Sequence, residues 1–554
     1  MLKDTISYLK DNKKLLFVIV PAIILTLLPF IFDGETDCVK GACGFIIGTN
    51  YRDGIWFQAV AATSFKTFPF QMPNFAGEAL RGYHYLPNLL AYLLSIIGIP
   101  IAVTYYKLIP IFYFTLLTIL IVQLGKKIIN KPMFVGMLLF FTYFGMHLSL
   151  ITSLYHFGEI RNQVLINTFQ ATRILESPHT AIALLIMFGI LSMLYRKKLS
   201  IKRRILIGVM VFLSFGIKFY VAFSIMTILF IFELLQFIQS KKIKPFILHN
   251  TIYGVGALIA IILFYDPFGR TGSVFIFSPF STVHHLIESP DLFYSEQLVL
   301  ARYFLYEHGW SPRLLMIELY SALLFMVFYF GMRVIGFTQV GYQLLKRKIN
   351  NIEVAVIISV LVSIAVSVLF IQKGDWFNPI QFAVPAAFLM NIFTAKLLFN
   401  IINKNKYIGY TLLLIVVLIT FPANLSNLTY LNNPGRFVIP QEEMDALNFL
   451  KKQPEGTIFA PLDENDMAYV SAFTGKPTYI NFASVLENSG IRHQDRLDRI
   501  NDTLDFSKMD IKYLYLPIDN EQSKKIKSTF PQAHLIKIYS NNTVTIYTNN
   551  DSFR

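Results

Sequence analysis

Cysteine is nearly absent from this chain, two residues in 554, and charged residues make up only 15% of it. So little charge excludes the ordinary soluble domain, where about a quarter of residues are charged. Both cysteines, Cys38 and Cys43, lie in one polar stretch. Two thiolates alone fall short of the three or four protein ligands of a tetrahedral metal site, so a disulfide stapling a small turn is the expected pairing, with two unpaired thiols as the alternative. What the chain has instead is apolar: 54% of its residues are hydrophobic and 15% aromatic, and the mean hydropathy is +0.52. That composition predicts an α-helical polytopic membrane protein. The formal charge of +15 is no sign of nucleic acid, because the cations sit in short runs between apolar segments and not on one polar domain. They report topology.

Lys3, Lys10, Lys13 and Lys14 precede the first membrane-length run, Leu15 to Phe32, which puts residues 1–14 in the cytoplasm by the positive-inside rule. That run lacks a small-residue cleavage site, so no removable signal peptide is expected. The next apolar stretch, Tyr85 to Pro100, is short and interrupted by Pro87 and Gly98. Read as interfacial or re-entrant and not as a crossing, it leaves every later basic cluster (Lys126/Lys127, Arg196 to Arg204, Lys241 to Lys244, Lys346 to Lys348, Lys404/Lys406) on the cytoplasmic side. About eleven transmembrane helices then follow, the others near Leu108 to Leu124, Met133 to Ile151, Thr180 to Tyr195, Ile205 to Ile217, Phe219 to Ile238, Phe246 to Phe264, Leu314 to Phe337, Val354 to Ile371, Pro379 to Phe399 and Tyr407 to Phe421. The expectation is a multi-pass protein of the cell membrane with an extracytoplasmic C-terminus.

Residues 33–84 form a long first outside loop, and most loops between elements need only a few residues. It carries Asp33, Asp37, Asp53, Glu78, Arg81 and His84. Later outside loops, Thr152 to Pro178, Tyr265 to Pro312 and Gln372 to Asn378, hold Arg161, Arg173, His179, Arg270, His284, His285, Arg302, His308 and Asp375-Trp376. Single cations there read first as solvated or headgroup-facing, and Trp376 as an interfacial-belt residue. Lys218, between two spans, is costly to bury without an anion. Beyond residue 424 strand-like runs (Thr457 to Leu462, Pro477 to Asn481, Ile511 to Pro517, His534 to Tyr539, Thr543 to Thr548) alternate with helical patterns, Glu442 to Lys452 and Gln522 to Phe530. That predicts a small extracytoplasmic α/β domain over 424–554, following a membrane module over 15–423. This terminal stretch has no Gly-rich phosphate loop, no metal-spaced His or Cys set and no nucleophile elbow.

The segments YRDGIWF (Tyr51 to Phe57) and GEALRGYHYLPNLLAYLL (Gly77 to Leu94), within this architecture, resemble the first-loop pattern of the GT-C superfamily of polyprenyl-phosphate-dependent glycosyltransferases. The resemblance implies transfer of a sugar from a polyprenyl-phosphate donor to a glycan, lipid or protein acceptor at the outer face, with membrane lipids as surroundings and no nucleic-acid partner. It implies an acidic residue of the first loop at the centre, acting as general base or holding a divalent ion, Mg or Mn. Asp53 matches the motif and is the first candidate; Asp33 and Asp37, just past the first span, are alternates. Asp53-Gly54 and Asp33-Gly34 each also read as turn pairs. Arg81, His84, Lys218 and Arg302 are candidates for the donor phosphate, Arg81 and His84 sharing a face if a helix begins near Gly77. Trp56, Glu78, Tyr83 and Tyr85 are candidate sugar or acceptor contacts, the aromatics also reading as interfacial anchors. A lipid-linked-sugar flippase or a polysaccharide polymerase would use similar cations. The gathering of acids in one loop and the lack of an internal repeat favour the transferase.

Overall fold

The computed structural model describes residues 2–31, 33–39, 42–48, 51–145, 147–158, 174–195, 199–268, 275–373, 376–425, 437–462, 468–481, 483–502, 509–529 and 535–549. Among them, seven helices are long and apolar enough to cross a membrane: Lys13–Phe30, Ile101–Ile128, Phe219–Ser240, Ile243–Tyr265, Pro312–Leu345, Asn351–Leu369 and Asn378–Lys404. The other four predicted crossings coincide with helices outside that set, Pro132–Phe144, Pro178–Leu194, Ile201–Ile217 and Lys406–Leu425. The chain is a helical polytopic membrane protein. Tyr85 to Pro100 yields only the 11-residue helix Leu86–Ile96, about half of what a bilayer needs. Arg161, Arg173, Arg270 and Asp375 lie outside the described residues.

Two compact units divide the chain: a helical unit of residues 1–28, 111–261 and 273–432, and a mixed unit of residues 29–110, 262–272 and 433–554. The helical unit is held by polar groups as well as by its apolar faces, since two helices in lipid gain little from hydrophobicity alone. Ser224 and Ser363 share a hydrogen bond of 2.9 Å, and the Ser359 hydroxyl donates to the Ser224 carbonyl at 3.1 Å. These small side chains let helices Phe219–Ser240 and Asn351–Leu369 approach closely. Arg333, 2% exposed, donates to Asn391 Oδ1 at 3.0 Å and to the Gly145 carbonyl at 2.6 Å. Glu353 closes a capping box with Asn350 and pairs with the buried Lys396. Glu233 takes Arg204 and His249. Each buried charge is therefore paired or hydrogen-bonded, the condition for keeping it in an apolar setting.

In the mixed unit the segment after the first span is built, not loose. Strands β1 (Thr36–Val39) and β2 (Ala42–Ile47) form a hairpin in which Cys38 and Cys43 face each other and are disulfide-bonded. In the helical unit β3 (Phe275–Phe277) pairs with β4 (Phe370–Gln372). Strand β5 (Phe437–Pro440) then extends the first hairpin on its β2 side, giving the order β1-β2-β5. Four of the five strands expected in the terminal α/β region form: β6 (Ile458–Phe459), β7 (Tyr513–Pro517), β8 (Leu535–Ser540) and β9 (Val544–Asn549) in the order β6-β7-β9-β8, with helices Gln441–Lys452 and Glu521–Thr529, whereas Pro477 to Asn481 makes only an isolated bridge from Thr478 to Ile458.

The run Pro477 to Asn481 does something the sequence did not signal. It spends much of its backbone bonding on the segment after the first span: Thr478 N donates to Pro73 O, Ala76 N to Thr478 O and Asn481 N to Asn74 O, each at 2.9 Å. Asn74, fully buried, adds a side-chain bond to the Asn481 carbonyl at 2.7 Å. Asn74→Ala leaves that carbonyl without its side-chain donor, and we expect a loss of about 1–3 kcal/mol, read as a lowered Tm of the purified full-length protein in detergent. An unchanged Tm would show that this seam bears no load.

Candidate active site

The helix Tyr51–Thr63 begins the site. Its apolar side, with Ile55, Phe57, Ala59 and Val60 at 0% exposure, is buried, and its first turn carries Asp53, where a carboxylate is favoured by the helix dipole. Asp53 is exposed. The Asp53-Gly54 turn expected as an alternative is not formed. Gly54 lies inside the helix because a Cβ there would sit 2.9 Å from the Tyr106 hydroxyl and 3.4 Å from the Tyr105 ring.

Tyr106 also governs the other Asp-Gly pair. Gly34 has φ +80° and lies under the Tyr106 ring, 2.3 Å from where a Cβ would meet it; here the turn at the end of the first span is real. Asp33 is fully buried, with its carboxylate against Gly48, whose missing side chain makes the room. Gly34 N donates to Ile46 O at 2.8 Å and Ile46 N to Glu35 O at 2.9 Å, so the hairpin folds back and brings the start of the Asp53 helix to the same tyrosine. Tyr105 and Tyr106 stand in a π-helical turn, Thr104–Leu108, a local irregularity frequent at functional sites. From that turn Lys107 donates to the Phe30 carbonyl at 3.0 Å, also to that of Ile31, and pairs with Glu35 at 3.0 Å. A lysine on the last carbonyls of a helix suits its dipole.

The remaining predicted residues of this unit separate by role. Asp37 is exposed and its carboxylate accepts from the Cys38 amide at 2.7 Å, a hairpin contact. Trp56 is 7% exposed and meets Tyr83 edge-on at 5.9 Å. The Tyr83 phenol is pushed well above its usual range, first by burial and then by the charge of Asp53, against hydrogen bonds from Trp56 and Asn88. It therefore stays protonated at physiological pH. Asn88 in turn donates to the Phe57 carbonyl at 3.0 Å. His84 stacks on Tyr83 at 4.9 Å, and Tyr85 packs on Phe264 at 5.0 Å. Arg81 pairs with Asp266 at 3.3 Å, both half-exposed. Glu78 is partly exposed, with the guanidinium of Arg496 near it. Residues 77–85 are not helical, so Arg81 and His84 share no helix face, a correction caused by positive φ at Gly77 and Gly82. Sequence reasoning missed Tyr105, Tyr106 and Asn88. The signal was there in Tyr105-Tyr106-Lys107, a polar aromatic cluster at the mouth of a span.

In the helical unit, Lys218 is 9% exposed and adopts an extended conformation (φ −161°) between helices Ile201–Ile217 and Phe219–Ser240. Its ammonium lies 5.4 Å from the Tyr220 ring centroid and within electrostatic reach of His179. Arg302 is turned inward: it donates to Glu318 at 3.1 Å and to Glu288 at 3.1 Å, with His284 against the same guanidinium. Among the described residues no three His, Cys, Asp or Glu side chains converge on a metal position.

No protein-family model and no curated protein matches the chain. Solved structures do. The crystal structure of the Archaeoglobus fulgidus oligosaccharyltransferase complex with Zn and sulfate is similar over 97% of this chain and 73% of its own, at TM-score 0.50 and 13% identity. The apo form from the same organism matches over 91% and 69%, at TM-score 0.50 and 12% identity. The archaeal oligosaccharyltransferase AglB of Archaeoglobus fulgidus, in complex with an inhibitory peptide and a dolichol-phosphate, matches over 97% and 74%, again at TM-score 0.50 and 12%. The chain thus shares its overall fold with these archaeal oligosaccharyltransferase structures.

Two glycines allow the Tyr106 contact to be tested by difference. Gly34 and Gly98 both have positive φ, but a Cβ at Gly98 meets nothing within 4 Å. Gly34→Ala and Gly98→Ala therefore share a backbone penalty of about 1–2 kcal/mol, and Gly34→Ala alone displaces Tyr106. We expect a lower Tm for Gly34→Ala than for Gly98→Ala in the full-length protein; equal values would remove Tyr106 from its bridging role.

Proposed function

We propose that the chain is an integral membrane glycosyltransferase that moves a sugar from a polyprenyl-phosphate donor to an acceptor on the outer face of the membrane, with Asp53 as its carboxylate. One observation carries the assignment within the GT-C-like fold: Asp53 is exposed at the start of a helix whose next residue is wedged against two buried tyrosines. A base must reach its substrate and yet be held in place. Asp33 meets the second condition and not the first, so its role is to shape the turn.

In the reaction the acceptor hydroxyl forms a bond to the anomeric carbon while Asp53 takes its proton. The bond from that carbon to the phosphate oxygen breaks, and the polyprenyl phosphate leaves with the electron pair. Charge grows on that phosphate, so a cation near it lowers the barrier. Lys218 is our candidate, a buried ammonium at a break between helices, where an anion offsets part of the cost of its burial. Arg81 is a second, since its half-exposed pairing with Asp266 is weak enough to re-form around a phosphate. Arg302 is assigned to anchoring its own segment. The similar AglB structure holds a dolichol-phosphate and a peptide, in keeping with a lipid-phosphate donor here; the acceptor is a glycan, lipid or protein. Asp53 would contribute one ligand to a divalent ion, Mg or Mn, which would neutralise charge on donor and acceptor. No step above runs through it.

Membranes from cells expressing the wild-type chain, supplied with labelled polyprenyl-phosphate sugars, should transfer label. Asp53→Asn should cut that transfer by about 10²–10⁴-fold with extracted yield and Tm unchanged, because the side chain is exposed. Asp33→Asn should instead lower yield. Wild-type transfer by Asp53→Asn would refute the assignment, and absence of transfer by the wild type from any donor would favour a flippase.

A further inference from the structure

Helix Asn351–Leu369 of the helical unit ends in a small polar platform that the reaction above does not use. Antiparallel pairing of β3 with β4 sets Phe275 opposite Gln372. Ser278 N donates to Leu369 O at 2.9 Å, and the Thr282 hydroxyl to Ser367 O at 2.6 Å. These bonds fasten the segment bearing His285 onto the end of that helix. Past β4, Trp376 and Phe377 lead into the turn Asn378–Phe382. Here Asn378 donates its side-chain amide to Gln372 Oε1 at 2.7 Å and receives that of Gln381.

Trp376 is 50% exposed. Its ring stands 5.1 Å from Phe377 and 6.4 Å from His285, and His285 meets Phe377 at 5.3 Å, all edge-on. Both ring nitrogens of His285 are buried, and no hydrogen bond of ordinary geometry reaches either among the described residues. Burial pushes this imidazole down to about 4, against an upward pull from the Thr282 backbone, so at pH 7 it packs as an uncharged ring beneath Trp376 and Phe377.

We propose that Trp376, with the amides of Gln372, Asn378 and Gln381, forms a pyranose-binding subsite, and that His285 packs against the indole to hold it. A sugar ring offers an apolar C–H face and a rim of hydroxyls. An exposed indole held by neighbouring rings fits the first, and a fixed set of amides fits the second. An interfacial-belt tryptophan would need a wet edge and a greasy one, but no ordered run of three amides beside it. The subsite rests on the glycosyltransferase reading for its use and stands apart from Asp53 for its chemistry.

The test uses the full-length chain labelled with 5-fluorotryptophan in nanodiscs. Its three tryptophans give three fluorine resonances, and Trp376→Phe assigns one. The probes are polyprenyl-phosphate glucose, mannose and N-acetylglucosamine, the free monosaccharides, polyprenyl phosphate without sugar, and lipids carrying a nitroxide. We expect the Trp376 resonance to move with at least one sugar-bearing donor and not with polyprenyl phosphate alone. A matching move with the free monosaccharide would mark the subsite as reading the sugar whichever substrate brings it. In the transfer assay Trp376→Ala should raise KM for the substrate carrying that sugar about 3–10-fold, with kcat within a factor of about two. A resonance broadened by the nitroxide lipid and unmoved by every sugar identifies a belt tryptophan and overturns the proposal. If the preparation transfers sugar and Trp376 does not move, the subsite fails and the enzyme reading stands. If Trp376 moves and nothing is transferred, the subsite stands and the enzyme reading fails.

Discussion

The ring of Tyr106 packs into space that two glycines leave open, and the mixed unit is arranged so that this contact can be made. Gly34 underlies one edge of the ring and Gly54 meets its hydroxyl. Each glycine follows an aspartate, so one tyrosine sets the backbone positions of two carboxylates some twenty residues apart in sequence. Three devices bring the segments together: the disulfide-closed hairpin, the antiparallel bonds between Gly34, Glu35 and Ile46, and Lys107 on the carbonyls that end the first span. They act by removing conformational freedom from the chain between the two, the main cost that folding must meet.

The two acids then part according to solvent. Asp33 sits where Gly48 has no side chain and water does not reach, so its carboxylate works on its own surroundings. Asp53 immediately precedes the glycine that meets the same tyrosines, and its side chain is exposed. Identical dipeptides thus serve different ends, and what distinguishes them is the backbone: a left-handed turn in one case, the first turn of a helix in the other. The neighbouring phenol of Tyr83 feels the Asp53 charge, and burial with that charge holds its proton on. A phenol that keeps its proton adds no second negative charge beside that carboxylate.

The membrane architecture was legible in the sequence because lipid imposes a coarse rule, long apolar runs with cations on one side. Reassigning Tyr85 to Pro100 as a short non-spanning helix turned on Pro87 and Gly98 and on charge alternation, and the structure gives the short helix. The terminal α/β region was legible for a similar reason, since period-2 and period-3.6 patterns differ strongly. What escaped were contacts far apart in the chain. Nothing local tells that Pro73 to Ala76 will bond with Thr478 and Asn481, because a main-chain ladder leaves little mark on composition. Nor does the sequence say that Asp53-Gly54 will be helical: its turn propensity is a local preference, and the two tyrosines that override it lie some fifty residues later. The helix expected from Gly77 failed to form for the opposite reason, two glycines taking up positive φ where a regular helix needs negative.

Cations in the helical unit show how environment decides a role that residue type leaves open. Arg302 and Lys218 look alike in the sequence, each a basic residue near a predicted outer boundary. Arg302 meets two carboxylates and an imidazole, a set that answers its planar fork and leaves it an anchor. Lys218 sits at a break where one extended residue separates two helices, with an aromatic face and a histidine for company. An ammonium is a compact charge that can face an aromatic ring at a chain break, where a planar fork needs several acceptors at fixed angles. The polar groups that flank Trp376 in the chain are amides bonded to one another, Asn378 to Gln372 and Gln381 to Asn378, and a set of that kind holds its geometry without any net charge to offset.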